Sequence, residues 1–149
     1  MDDILIVGAG QAGMQIAVSL RELGFAGAIT LIGSEAVGPY QRPPLSKAYL
    51  SGEADLESLE LRAPSFYDDR DITLRCGDPV ESIEFVGDHG VALTASGARL
   101  EFAQLALTTG SEPRRLSLPG SDLGGVLYLR DLADADELKS RWDAAASVV

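Results

Sequence analysis

The chain opens on four apolar residues in a row, Ile4-Leu5-Ile6-Val7, a short run without polar alternation that reads as a strand buried on both faces. The period then changes. Ile16, Leu20 and Leu23 recur at helical spacing, which predicts a helix over 14–23 with Gly24 as its stop. Ala28-Ile29-Thr30-Leu31-Ile32 is a second apolar run, and strand, helix and strand together form a βαβ unit whose right-handed crossover lays the strands parallel. Farther on, a short helix is predicted over 64–69, with Pro64 in its first turn, before a third parallel strand at Ile72-Thr73-Leu74-Arg75. Three short runs at 80–86, 90–94 and 99–102, separated by turns at 87–90 and 95–98, read as an antiparallel meander. A fourth apolar strand is expected over 104–108 and a helix over 133–142, and the alanine-rich end at 145–149 reads as a linker entering a further strand.

Between the first strand and its helix lies Gly8-Ala9-Gly10-Gln11-Ala12-Gly13, three glycines at G-x-G-x-x-G spacing. That order is a device for holding a pyrophosphate: Gly8 allows the tight turn, Gly10 lets the backbone approach the phosphates, and Gly13 lets the helix pack closely on the strand. The N-terminal N–H groups of the helix then face the anion. Glu35 follows 22 positions beyond Gly13, at the end of the second strand, where a carboxylate can accept from ribose hydroxyls, and Ser34 can share the contact. An ordinary strand-turn-helix would also use glycines for packing, and a surface loop would also carry a glutamate.

The stretch Pro39-Tyr40-Gln41-Arg42-Pro43-Pro44-Leu45-Ser46-Lys47 breaks the pattern of a simple nicotinamide-binding domain. Two successive prolines fix φ and remove two donors, so a loop is expected here, followed by a short helix over 45–50 and an acidic, flexible stretch over 51–55. A rigid loop can hold Arg42 and Lys47 against a phosphate or a ring carbonyl; a proline-stiffened surface turn would leave both solvated.

Composition narrows the classes. At 149 residues and 46% hydrophobic, the chain is one ordinary domain's worth of globular protein. A formal charge of -11 argues against a nucleic-acid surface, although Arg114 and Arg115 are adjacent. Cys76 is the only cysteine, which excludes an internal disulfide, a cysteine metal cluster and a redox dithiol, and no metal site is expected. The opening Met-Asp-Asp is unlike a signal peptide, and no apolar run approaches the ~18 residues that span a bilayer, so a cytoplasmic protein without membrane contact is expected. His89, the only histidine, reads as a solvated turn residue.

Taken in order, Gly8 to Gly13, Ile32-Gly33-Ser34-Glu35, Tyr40-Gln41-Arg42-Pro43-Pro44-Leu45-Ser46-Lys47, Thr108-Thr109-Gly110 and Tyr128-Leu129-Arg130 resemble the FAD-dependent pyridine-nucleotide oxidoreductases, most narrowly the ferredoxin and rubredoxin reductases of bacterial oxygenase systems. The resemblance spans essentially the whole chain, and the Arg-Pro-Pro-Leu-Ser-Lys loop is its most specific element. It implies an α/β, Rossmann-like FAD/NAD(P)-binding fold of three layers, parallel sheet, helices and antiparallel β-meander, present here incompletely. It further implies that Gly8, Gly10, Ala12 and Gly13 line the FAD pyrophosphate, that Glu35, with Ser34 beside it, takes the adenosine ribose, and that Arg42 lies toward the adenosine. Lys47 would stand beside the isoalloxazine as the catalytic residue. Val80 would offer its backbone to the adenine, Thr109 and Gly110 would pass close to the cofactor, and Arg130 would contact it from the crossover to the next domain. Two departures stand out: relatives often carry an acid where this chain has Ser34, and usually read Ala-Thr-Gly where it has Thr108-Thr109-Gly110.

The same resemblance implies electron flow from NADH through FAD to an iron–sulfur ferredoxin or a rubredoxin. With Gln41, Pro43, Pro44 and Ser46 in the loop where disulfide reductases carry reactive cysteines, electrons should leave the flavin directly. Residues 1–115 would be the first half of an FAD-binding domain, and 116–149 a crossover toward an NADH-binding domain whose first strand would start at Val148-Val149. The chain is thus expected to be the N-terminal part of such a reductase, truncated, inactive toward NADH alone and associating through uncovered sheet edges into a homo-oligomer. Two alternatives are a non-catalytic FAD-binding or interaction module and a single-domain NAD-dependent dehydrogenase.

Overall fold

A computed structural model describes residues 2–142, Ala145 and Ser147; the strand expected to start at Val148 and Val149 lies outside the described residues. In chain order the elements are β1 (Ile4–Val7), α1 (Gln11–Glu22), β2 (Ile29–Ile32), a 3-10 turn (Pro43–Ser46), α2 (Ala48–Ser51), α3 (Leu56–Leu59), α4 (Ser65–Asp68), β3 (Ile72–Arg75), β4 (Val80–Val86), β5 (His89–Thr94), β6 (Arg99–Phe102), β7 (Gln104–Leu107) and α5 (Leu132–Trp142). They form two compact units, Met1–Tyr40 with Glu60–Gly110, and Gln41–Leu59 with Ser111–Val149.

The first unit is built on a four-stranded parallel sheet in the order β3-β2-β1-β7. β1 is central, which is why its four residues could all be apolar. Ile4 and Ile6 face one way, into a cluster with Met14, Ala17 and Val18 of α1 and Tyr67 of α4. Leu5 faces the other way, toward Ala92 and Phe102 of the antiparallel sheet β4-β5-β6. Alternate residues of one strand therefore fill two cores, and helices, parallel sheet and meander make the three layers of the expected α/β fold.

Helix α1 begins at Gln11, three residues before its apolar pattern does, because its first turn contains Gly13, which the sheet packs against. Its two ends differ. At the C-terminal end Arg21 donates to the carbonyls of Phe25, Gly27, Arg70 and Asp71 at 2.6–2.9 Å, a cation placed where the helix dipole favours one. Its N-terminal end, capped by Gly10, carries no side-chain cap and no acidic residue in its first turn. His89 is not in a turn: it opens β5 opposite Val86, on an exposed hairpin end.

In the second unit the two prolines do not prevent a helix. Pro43 and Pro44 occupy the first positions of the 3-10 turn, where a fixed φ fits and the missing N–H groups would have had no partner. The turn is closed by Leu45 N–H on the Arg42 carbonyl at 3.0 Å and Lys47 N–H on the Pro44 carbonyl at 2.9 Å. Lys47, at φ -133° and ψ -113°, then breaks the path, so α2 starts only at Ala48. Within the acidic stretch, Asp55 begins α3 by accepting from the Ser58 N–H at 2.9 Å, a bond that holds its carboxyl below the usual range. Asp131 and Asp134 cap α5 reciprocally: the Asp134 N–H donates to Asp131, and the Asp134 carboxylate accepts from the N–H groups of Arg130 and Asp131. Tyr49 of α2 donates to Asp136 of α5 at 2.6 Å, and that hydrogen bond pushes its hydroxyl up to about 12.

Candidate functional site

The glycine turn joins the C-terminal end of β1 to the start of α1, and its three glycines do different work. Gly8 has φ +115°, and a Cβ there would lie 2.1 Å from the Thr108 carbonyl oxygen. A Cβ on Gly13 would lie 2.1 Å from the Gly8 carbonyl oxygen and 2.9 Å from Leu31. Both glycines are demanded by the protein's own packing. Gly10 is not: its φ of -98° and ψ of -169° suit any residue, and a Cβ on it would meet nothing within 4 Å. Space is thus kept beside Gly10, in front of the N–H groups of Gln11, Ala12 and Gly13, which no helix can pair internally. That arrangement accepts an anion that approaches the backbone closely.

The loop after β2 lies against this turn, because a Cβ on Gly33 would come within 2.6 Å of the Ala9 Cβ. It is held from below by β3 and its following turn: Gly33 N–H donates to the Arg75 carbonyl, Asp78 N–H to the Gly33 carbonyl and Gly77 N–H to the Glu35 carbonyl, at 2.8–3.2 Å. Ser34 is exposed and Glu35 half-buried. Thr108, half-buried at the end of β7, donates to the Gly8 carbonyl at 2.8 Å and lies 3.2 Å from that of Val7, so Thr109 and Gly110 leave the sheet beside the glycine turn. Gly8, Gly10, Ala12, Gly13, Ser34, Glu35, Thr109 and Gly110 therefore gather at the C-terminal ends of β1, β2 and β7, the end at which open α/β sheets bind ligands. Val80 starts β4 opposite Thr94, with a register shift between it and Ser82.

In the second unit Arg42 and Arg130, 88 residues apart, meet: the Arg42 guanidinium donates to the Arg130 carbonyl at 3.0 Å. Together with Pro43, Leu45, Ser46 and Leu129 they line an open groove of about 310 Å³. Lys47 is exposed and does not line it.

Two contributors carry no signal of their role in the sequence. In the sequence Thr108 marks the end of an apolar strand and a departure from a pattern, and its hydroxyl joins the end of β7 to the glycine turn. Tyr40 was one letter of the proline loop, yet it is buried and donates to Glu35 Oε2 at 2.6 Å. No spacing rule marks either residue; only a Tyr near a loop Glu could have hinted at the second.

Comparison with known proteins agrees with this geometry. The chain is 47% identical over 146 residues to rhodocoxin reductase of Rhodococcus erythropolis, covering 98% of this chain and 34% of that one. It is 43% identical to rubredoxin-NAD(+) reductase of Pseudomonas putida, covering 98% and 37%. It superposes on the crystal structure of the ferredoxin reductase for the CYP199A2 system from Rhodopseudomonas palustris with a TM-score of 0.87 at 44% identity, covering 97% and 35%. The chain thus spans about a third of the length of these relatives. The sequence profile described as pyridine nucleotide-disulphide oxidoreductase matches residues 2–149, and the chain belongs to that family.

Proposed function

We propose that this chain is the FAD-binding part of an NADH-dependent reductase that passes electrons to a ferredoxin- or rubredoxin-type carrier. The observation that carries the reading is Gly10: a glycine required neither by its dihedral angles nor by any protein atom, at the start of a twelve-residue helix that has no side-chain cap. A pyrophosphate lying against that backbone accounts for it. The names of the relatives, rhodocoxin, rubredoxin and ferredoxin reductases, support the choice of carrier.

In this reading Gly8 shapes the turn, while Gly10, Ala12 and Gly13 present N–H groups to the two phosphates. Glu35, beside Ser34, accepts from the adenosine ribose. Val80 offers backbone groups to the adenine, and Thr109 and Gly110 allow close approach at the end of β7. In the second unit, Arg42 and Arg130 supply positive charge and Lys47 serves the flavin ring as the catalytic residue. Bound FAD would supply the exchange between a hydride donor and a one-electron acceptor. Residues 1–115 then belong to the FAD-binding domain and 116–149 to the crossover toward the NADH-binding domain. The setting is the cytoplasm, and the outer edges of β3 and β7 favour a homo-oligomer. Among the described residues, no helix is long and apolar enough to cross a membrane.

Titrating the 149-residue chain with FAD and with NADH, followed by flavin fluorescence and absorbance, tests the reading. Saturable binding of FAD, with no NADH oxidation by the chain alone, is the expected result. Preferential binding of NADH would overturn it in favour of a nicotinamide domain.

A further inference from the structure

We propose that Tyr40 is a positioning residue for the cofactor's adenosine ribose, acting through Glu35; this rests on the reading of Glu35 as the ribose ligand. The hydroxyl of Tyr40 donates to Glu35 Oε2 at 2.6 Å, the length of a charge-assisted bond. Tyr40 is itself fixed. It is 5% exposed, forms a β-bridge with Glu60, and follows the fully buried Pro39, whose carbonyl accepts from the Leu61 N–H at 2.9 Å. The other end of Glu35 is fixed as well, by the Gly77 N–H on its carbonyl at 2.8 Å. Backbone and carboxylate are thus both tied to the first unit.

The consequence is preorganisation. A glutamate on a surface loop has three side-chain torsions to order when a ligand arrives, and that ordering weakens binding. Here the Tyr40 hydroxyl selects the rotamer beforehand. It also keeps the acceptor character of the group: an ionised carboxylate offers about four lone-pair directions, enough to take one phenol and two vicinal ribose hydroxyls. A phenylalanine at position 40 would fill the same space and remove this bond from the carboxylate.

The test measures the dissociation constants of FAD, and of an FAD analogue whose adenosine ribose lacks the 2′ and 3′ hydroxyls, for the 149-residue wild type, Y40F, E35A and the double variant. The thermal midpoint of each ligand-free chain is recorded alongside. Wild type should bind FAD more tightly than the analogue. Y40F should weaken FAD binding about tenfold, leave analogue binding unchanged, and add nothing to E35A. Y40F binding FAD as wild type does, losing both ligands equally, or failing to melt cooperatively would each overturn the inference, the last two by showing a structural role. A wild type that binds FAD and the analogue equally, or neither, overturns instead the assignment of Glu35, and this inference with it.

Discussion

The floor and the rim of the glycine turn are made of the same residue type for opposite reasons. On the floor, Gly8 and Gly13 are pressed against Thr108 and against each other, so that a single added carbon would fall 2.1 Å from a carbonyl oxygen. On the rim, Gly10 has ordinary dihedral angles and open space beside it. The floor is explained by folding alone; the rim, where a side chain would meet no protein atom, is the part that the proposed pyrophosphate accounts for. Within a glycine motif, the proposal of a ligand therefore rests on the glycine whose dihedral angles and surroundings would tolerate a side chain.

Substitutions should separate the two. Gly13→Ala pushes a methyl group into the Gly8 carbonyl, and Gly8→Ala adds a strained φ to a similar clash, so each should cost at least about 3 kcal/mol and lower the thermal midpoint sharply. Gly10→Ser should do the reverse. It gives α1 the capping hydroxyl it lacks, so the midpoint holds or rises slightly, while FAD affinity falls by at least about tenfold in a fluorescence titration. Thr108→Val removes the hydroxyl that ties β7 to the floor and should cost about 1 kcal/mol in denaturant unfolding; Thr108→Ser, which keeps the donor, should recover most of it.

The smallest effect is expected at the side chain of Asp78, whose hydrogen-bond partner Ser96 lies in the turn between β5 and β6. The Ser96 N–H, with the Ser96 and Thr94 hydroxyls and Arg75 assisting, holds its carboxyl below the ordinary value. A folded-state value depressed in this way contributes stability that is present above the unfolded value and lost as pH falls through the folded one. Asp78→Asn should therefore flatten the acid limb of a melting-versus-pH curve slightly and leave FAD affinity unchanged, which makes it a control for the floor and the rim alike.

Legibility in the sequence followed the range of the forces involved. β1 is readable because a central parallel strand is a continuous apolar run, β2 and β3 because isoleucine and leucine recur in short segments bounded by turn residues, and the meander because its turns punctuate it. The first turn of α1 is silent in the sequence because Gln11, Ala12 and Gly13 carry no apolar period. The helical turn at Pro43 and Pro44 is hidden because paired prolines signal a break in most contexts and fit a helix only in its first turn. The glycine spacing and Glu35 disclosed a dinucleotide, but which dinucleotide came from resemblance. The Tyr40–Glu35 bond spans five residues of irregular chain that follow no fixed period, and the Arg42–Arg130 pair joins residues 88 apart, so neither could be read from local pattern.

The central claim is that the rim of the glycine turn is kept for a pyrophosphate. It is tested most directly by recording backbone amide ¹H–¹⁵N spectra of the 149-residue chain during an FAD titration. The largest shifts should fall on the amides of Gly10, Gln11, Ala12 and Gly13. Saturable FAD binding that leaves those four amides unmoved would contradict the claim.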